Sequence, residues 1–174
     1  MRSSTRFTTG LAVVAAAVLG LATLPSTVEA ATANQNLTIN AVVNDRATLT
    51  LSTATINFPD SDPETVLSIA ASENPVTVSA RVRTGATSTP TLTVQANGDL
   101  SNGTDTIPIS NVTWTASGSP FVAGTMNATV AQSAATFGTG SGSYTGTFSY
   151  FLANDWAYNV GTYTATATYT LTAP

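Results

Sequence analysis

The chain contains no cysteine, no histidine and, across all 174 positions, no lysine. Charged residues make up only 8% of it, where an ordinary soluble domain carries about a quarter. These absences exclude a good deal of chemistry. Without His and Cys there is no Ser-His-Asp or Cys-His nucleophile, no zinc or iron site of the usual ligands and no disulfide. Without Lys there is no Schiff base, no phosphate-gripping P-loop lysine and no Lys–Asn isopeptide staple. No cofactor is expected. No side chain is expected to titrate between about pH 5.5 and 7, so melting should be flat across that window. Solubility has to come from hydroxyls and amides.

What is present begins with an export pattern. Arg2 and Arg6 precede an apolar run from Leu11 to Leu24, followed by Pro25 and Val28-Glu29-Ala30-Ala31. A basic end, a short apolar stretch and small residues at a cleavage point make a secretory signal peptide. The run is shorter than the roughly 20 apolar residues that a bilayer span needs. Residues 1–30 are therefore expected to be removed, leaving 31–174 as one secreted domain with no membrane insertion after cleavage. That domain sets three arginines, Arg46, Arg81 and Arg83, against eight carboxylates, a net charge of −5. So thin a negative charge offers neither counterion release on nucleic acid nor attraction to anionic lipid, and nucleic acid is not expected as a partner.

From residue 35 onward the dominant period is two. Leu37, Ile39, Ala41 and Val43 alternate with Thr38, Asn40, Val42 and Asn44, and the same parity resumes at Ala47, Leu49 and Leu51. Further strands are predicted over 55–58, 66–71, 76–83, 91–96, 106–109, 111–116, 143–151 and 162–172. In the last of these, Thr takes every position between Tyr163, Ala165, Ala167, Tyr169 and Leu171. The breaks carry turn chemistry, as in Pro59-Asp60-Ser61-Asp62-Pro63, Asn97-Gly98 and Asn102-Gly103. Many short strands with no amphipathic helix between them predict an all-β fold, a single antiparallel β-sandwich of the Ig-like, Greek-key type.

Few motifs carry chemistry. Gly138-x-Gly140-x-Gly142 has its third glycine misplaced for a dinucleotide loop, and no helix follows it. Asp60, Asp62 and Glu64 place three carboxylates at alternate positions, the weak outline of a Ca²⁺ turn without the EF-hand glycine or distal Glu. Paired carboxylates alone can run a glycosidase, but the acids of this chain sit mostly in turns, and catalysis is not expected. Trp114 shares the parity of Val112 and Ala116 and is expected in the core. Trp156 and Tyr158, set among amides in Asn154-Asp155-Trp156-Ala157-Tyr158-Asn159, are the residues most suited to stacking on a sugar ring.

Two resemblances follow from longer stretches. Gly161-Thr162-Tyr163-Thr164-Ala165-Thr166 with Tyr169-Thr170-Leu171-Thr172-Ala173-Pro174 resembles the closing strand of the WxL-type surface domains of Gram-positive bacteria. Val76-Thr77-Val78 through Thr91-Leu92-Thr93-Val94 is similar to the region around the first motif of that family. Tyr169 stands where the family has Trp, and the first motif falls near Pro90. This resemblance implies a wall-associated module whose partners are cell-wall polysaccharide or surface proteins. Asn36–Val43, Ile56-Asn57-Phe58-Pro59 and the Tyr-rich strand 162–172 also resemble spore-coat-U-like pilins of the archaic chaperone–usher type, without their paired Cys. That resemblance implies that residues 34–44, with Leu37, Ile39, Ala41 and Val43 facing one way, complete the sheet of an identical subunit. The expectation is thus an exported, non-catalytic structural or binding module of the bacterial surface, with a pilus subunit as the alternative and a secreted carbohydrate-active enzyme as a minor third.

Overall fold

A computed structural model describes residues 30–174. All but the last residue of the expected signal peptide lies outside the described residues. Residues 30–40 belong to one unit of the chain and Ala41–Pro174 to another, and all the strands lie in the second.

The strands are β1 (Arg46–Leu51), β2 (Ser68–Ala70), β3 (Val76–Arg83), β4 (Thr91–Ala96), β5 (Leu100–Ser101), β6 (Thr106–Ile107), β7 (Val112–Ser117), β8 (Gly124–Thr125), β9 (Gln132–Thr136), β10 (Gly142–Ala153) and β11 (Ala167–Thr172). One sheet has the order β1-β3-β10-β7-β8, with β2 also pairing with β10; a second has the order β11-β4-β9; β5 and β6 form a separate pair. Every ladder is antiparallel. The expected all-β, antiparallel sandwich is the fold adopted.

The alternation places the core. In β3 the residues Val76, Val78, Ala80 and Val82 are buried while Thr77, Arg81 and Arg83 are exposed. Strand β10 sends Phe148, Tyr150 and Leu152 inward, and β4 sends Leu92, Val94 and Ala96 to meet them from the other sheet. Phe148 is the junction. Its ring lies edge-on to Trp114 at 6.4 Å and to Phe121 at 5.7 Å, and stacks on Tyr169 of the opposite sheet at 5.9 Å. Trp114 is in the core, 1% exposed, as its parity predicts, and its indole N–H donates to the Val122 carbonyl at 2.8 Å. The Tyr150 and Tyr169 hydroxyls meet at 2.7 Å, so the one polar contact between the two sheets' aromatic faces is satisfied on both sides.

Three expected strands differ from what forms. Residues 55–58 make no ladder; the Glu73 carboxylate instead accepts the Asn57 backbone N–H and its side-chain amide, both at 2.7 Å, and the Asn57 carbonyl accepts from Ser72. The last strand begins at Ala167 rather than 162, because the Asn97 side-chain oxygen takes the Thr166 N–H and Thr164 makes only a single bridge to Ser101. Residues 34–44 form no strand. Strand β9 was not expected. A register shift opposite Leu92 and Thr93 leaves Ala134 and Ala135 consecutively buried, so its sequence has no clean period of two.

Three side chains, Glu73, Tyr150 and Tyr169, give stability a defined pH dependence. The Asn57 side-chain amide, then its backbone N–H, holds the Glu73 carboxyl below the usual carboxylate range. That contribution is present above the unfolded value and is lost as pH falls through the lower folded one. Burial pushes the Tyr150 and Tyr169 hydroxyls above their usual range; the Tyr150 hydroxyl adds to the shift at Tyr169, whereas the bond to Tyr169 opposes it at Tyr150. Their contribution is present below about pH 10 and is lost as pH rises beyond it. Melting temperature against pH should therefore show an acid limb and an alkaline limb around a plateau, and Glu73→Gln should flatten the acid limb while Tyr169→Phe flattens the alkaline one.

Candidate functional site

The two sides of the sandwich end differently. On one side the segment between β7 and β8 joins the smaller sheet: Phe121 bridges to Ala135, and the Val122 N–H donates to the Ala134 carbonyl at 2.9 Å. On the other side β1, the outer strand of the larger sheet, approaches β11, the outer strand of the smaller one. Among the described residues no ladder joins these two strands. Both carry inward side chains that remain half-buried, Leu49 and Leu51 on β1 and Tyr169 and Leu171 on β11, although all four pack against the core. A row of backbone donors and acceptors along β11 is thus open beside an apolar strip, which is the arrangement to which an extended segment adds as a further strand.

The segment with the matching pattern is the N-terminal one. Leu37 is 85% exposed, Ile39 83% and Val43 69%, and Ala41 is also exposed. Val42 is 85% exposed as well; large apolar side chains, mostly alternating, unburied and without a ladder, are a strand's sequence without a strand's environment.

The loop aromatics part company. Trp156 is 71% exposed. Tyr158 turns the other way: it is half-buried against the core, and its hydroxyl accepts a hydrogen bond from the Asn111 side-chain amide at 2.7 Å. The loop between them is set by Asp155, whose carboxylate accepts the Ala157 N–H at 2.9 Å and whose carbonyl accepts from Tyr158. Replacing Trp156 by Ala should leave the melting midpoint nearly unchanged, within about 0.5 kcal/mol. Tyr158→Ala should lower it clearly, since it leaves the Asn111 amide without its partner; equal effects in denaturant titrations would contradict this division.

The acidic turn is built by its own backbone. Asp62 accepts the Glu64 N–H on its carboxylate at 2.9 Å, and its carbonyl accepts from Thr65 and Val66. Among the described residues, no three acidic side chains, Asp60, Asp62 and Glu64 included, are gathered so as to hold a metal ion. Other acids have similar employment: Asp99 accepts the Ile109 N–H at 2.8 Å and Asp105 accepts the Asn159 amide at 2.9 Å.

The chain matches no protein-family model, no curated protein and no solved structure. Its functional reading rests on geometry. The open strand β11 could not be singled out from its residues, because Tyr169 and Leu171 alternate with Thr in the same way as a strand with neighbours on both sides.

Proposed function

We propose that the protein is an exported, non-catalytic β-sandwich of the bacterial surface that assembles with copies of itself. In this reading residues 34–44 of one copy add to the free edge of β11 in the next, with Leu37, Ile39 and Val43 covering Leu49, Leu51, Tyr169 and Leu171. The observation that carries the proposal is the coincidence of the two halves: an alternating apolar segment exposed and unpaired, and an apolar strip left half-buried beside an open strand edge. The resemblance to spore-coat-U-like pilins supports the same reading. The binding of acids within turns supports a non-catalytic role.

The test is made on the full exported chain. Light scattering and electron microscopy of the parent should show oligomers or filaments. A Leu37→Asp, Ile39→Asp variant should remain monomeric and melt at the parent's temperature, because both side chains are exposed in the single copy. A parent that stays monomeric at every concentration, or a variant that assembles as well as the parent, overturns the proposal. Cell-wall binding without assembly is the second reading. The exposed Trp156 favours it, and glycan pull-down with Trp156→Ala separates it from the first.

A further inference from the structure

All the positive charge of residues 30–174 lies on one patch. In the β1–β3 ladder Arg46 stands directly opposite Arg83, and Arg81 stands opposite Thr48. Residues paired across a ladder share a face, and residues two apart on a strand share it too. The three guanidinium groups therefore project from the outer face of the larger sheet, all at exposed positions. Like charges directly opposite one another destabilise a ladder, and nothing on the neighbouring strands neutralises these. Strands β1, β3 and β10 contain no Asp or Glu at all, and the nearest acid in sequence is Asp45. Arg83 donates from Nε to the Asn44 carbonyl at 2.8 Å rather than to a carboxylate.

Edge protection accounts for only one of the three. A charge on an outer strand discourages unwanted pairing, which suits Arg46 on β1. Arg81 and Arg83 are on β3, which has β1 on one side and β10 on the other. The surface around them is shaped as well as charged. Two adjoining shallow depressions run along this face, one lined by Thr48, Thr50, Ser79 and Arg81 and the other by Arg46, Thr48 and the Arg81–Arg83 stretch. The face continues across β10 with Ser143 opposite Arg81 and Thr145 opposite Ser79. It is a flat field of hydroxyl groups with guanidinium groups at one end, on residues 31–174 whose three arginines stand against eight carboxylates.

We propose that this face binds an acidic polysaccharide, a sugar chain bearing carboxylate or phosphate groups. Charge complementarity selects the anion: each guanidinium offers a planar fork of donors that fits a carboxylate or phosphate with two hydrogen bonds. The hydroxyl field selects the sugar, because Ser and Thr both donate to and accept from neutral hydroxyl groups. The patch uses the outward side chains of β1 and β3, whereas assembly uses the inward Leu49 and Leu51 of β1 and the edge of β11. Because the two share β1 and the Arg83–Asn44 bond, binding is also read on the Leu37→Asp, Ile39→Asp variant, which should bind as the parent does.

The probes are polygalacturonate for the carboxylate arm, a polyglycerol phosphate for the phosphate arm, and neutral dextran and double-stranded DNA as comparisons, all with the full exported chain. One or both acidic polymers should be retained at low salt, dextran should not, and binding should fall at least tenfold in Arg81→Gln and further in the Arg46→Gln, Arg81→Gln, Arg83→Gln variant. Arg81 is exposed, so the single variant should fold as the parent does. The triple variant should melt no lower than the parent, since it relieves like-charge contact. Unchanged binding in the triple variant, no retention of either acidic polymer, or DNA held as tightly as the polysaccharide would overturn the proposal; the last would mean that charge alone is being read.

Discussion

Phe148→Ala is expected to destabilise the protein by about 3–5 kcal/mol, as loss of a buried aromatic ring does when its surroundings cannot close over the space. The ring is fully buried and touches Trp114, Phe121, Tyr150 and Tyr169, so aromatic groups from both sheets converge on it. Its neighbours are themselves rigid rings fixed by other bonds, Trp114 to the Val122 carbonyl and Tyr150 to Tyr169, which leaves little freedom to fill the cavity. A domain of this size has a margin of about 5–15 kcal/mol. The variant should therefore unfold at much lower denaturant concentration, or fail to accumulate. A loss below about 1 kcal/mol would mean that the sheets are not held together through this ring.

The second large effect has the opposite origin, too much matter rather than too little. Gly146 lies in the middle of β10 and is buried. A β-carbon there would fall into the Phe121 ring and 2.6 Å from the Ser117 carbonyl oxygen. Ring and backbone cannot both retreat, so Gly146→Ala should cost about 1–3 kcal/mol, the usual range for overpacking. Removing glycine from a position with room normally stabilises, by about 0.4–1 kcal/mol, through the unfolded chain. Gly98 supplies that control, since a β-carbon there meets nothing within 4 Å. The two Gly→Ala variants should thus shift the urea midpoint in opposite directions, and shifts of the same sign would contradict the packing described.

How much of this was legible beforehand depended on whether burial followed a simple period. Strands β3 and β4 run from Val76 to Arg83 and from Thr91 to Ala96, the bounds that alternation predicts. The inward orientation of Trp114 was readable for the same reason. Where the ladder is interrupted, the pattern failed: the bulge that buries both Ala134 and Ala135 concealed β9, and the two-residue strands β5 and β8 are too short to show a period. At 55–58 the residues alternate as a strand should, and Ile56 and Phe58 do pack against the core, but Glu73 supplies the hydrogen bonds that a neighbouring strand would have given.

The site was legible in parts and not as a whole. Leu37, Ile39 and Val43 announced a strand's worth of apolar surface without saying where it would be buried. Trp156 and Tyr158 were indistinguishable in sequence, and only the bond from Asn111 to the Tyr158 hydroxyl sets them apart. The arginines are 35 or more positions apart in sequence between Arg46 and the other two, and no reading of charge spacing joins them. Strand register does: β1 lies antiparallel to β3 in the register that sets Arg46 opposite Arg83.

The place of β10 between β3 and β7 has a consequence in time. The larger sheet cannot be assembled until residues 142–153 are available to sit at its centre, and the smaller one lacks an outer strand until residues 167–172 arrive. Nearly every ladder joins segments far apart along the chain, β3 to β10 and β4 to β11 among them. Such topologies fold slowly, on the order of milliseconds to seconds, because long loops must close before any pairing rewards them. With this strand order neither sheet is complete until the segments 142–153 and 167–172 have joined it, so closure of the sandwich is a late event set by distant pairings and not by neighbouring hairpins.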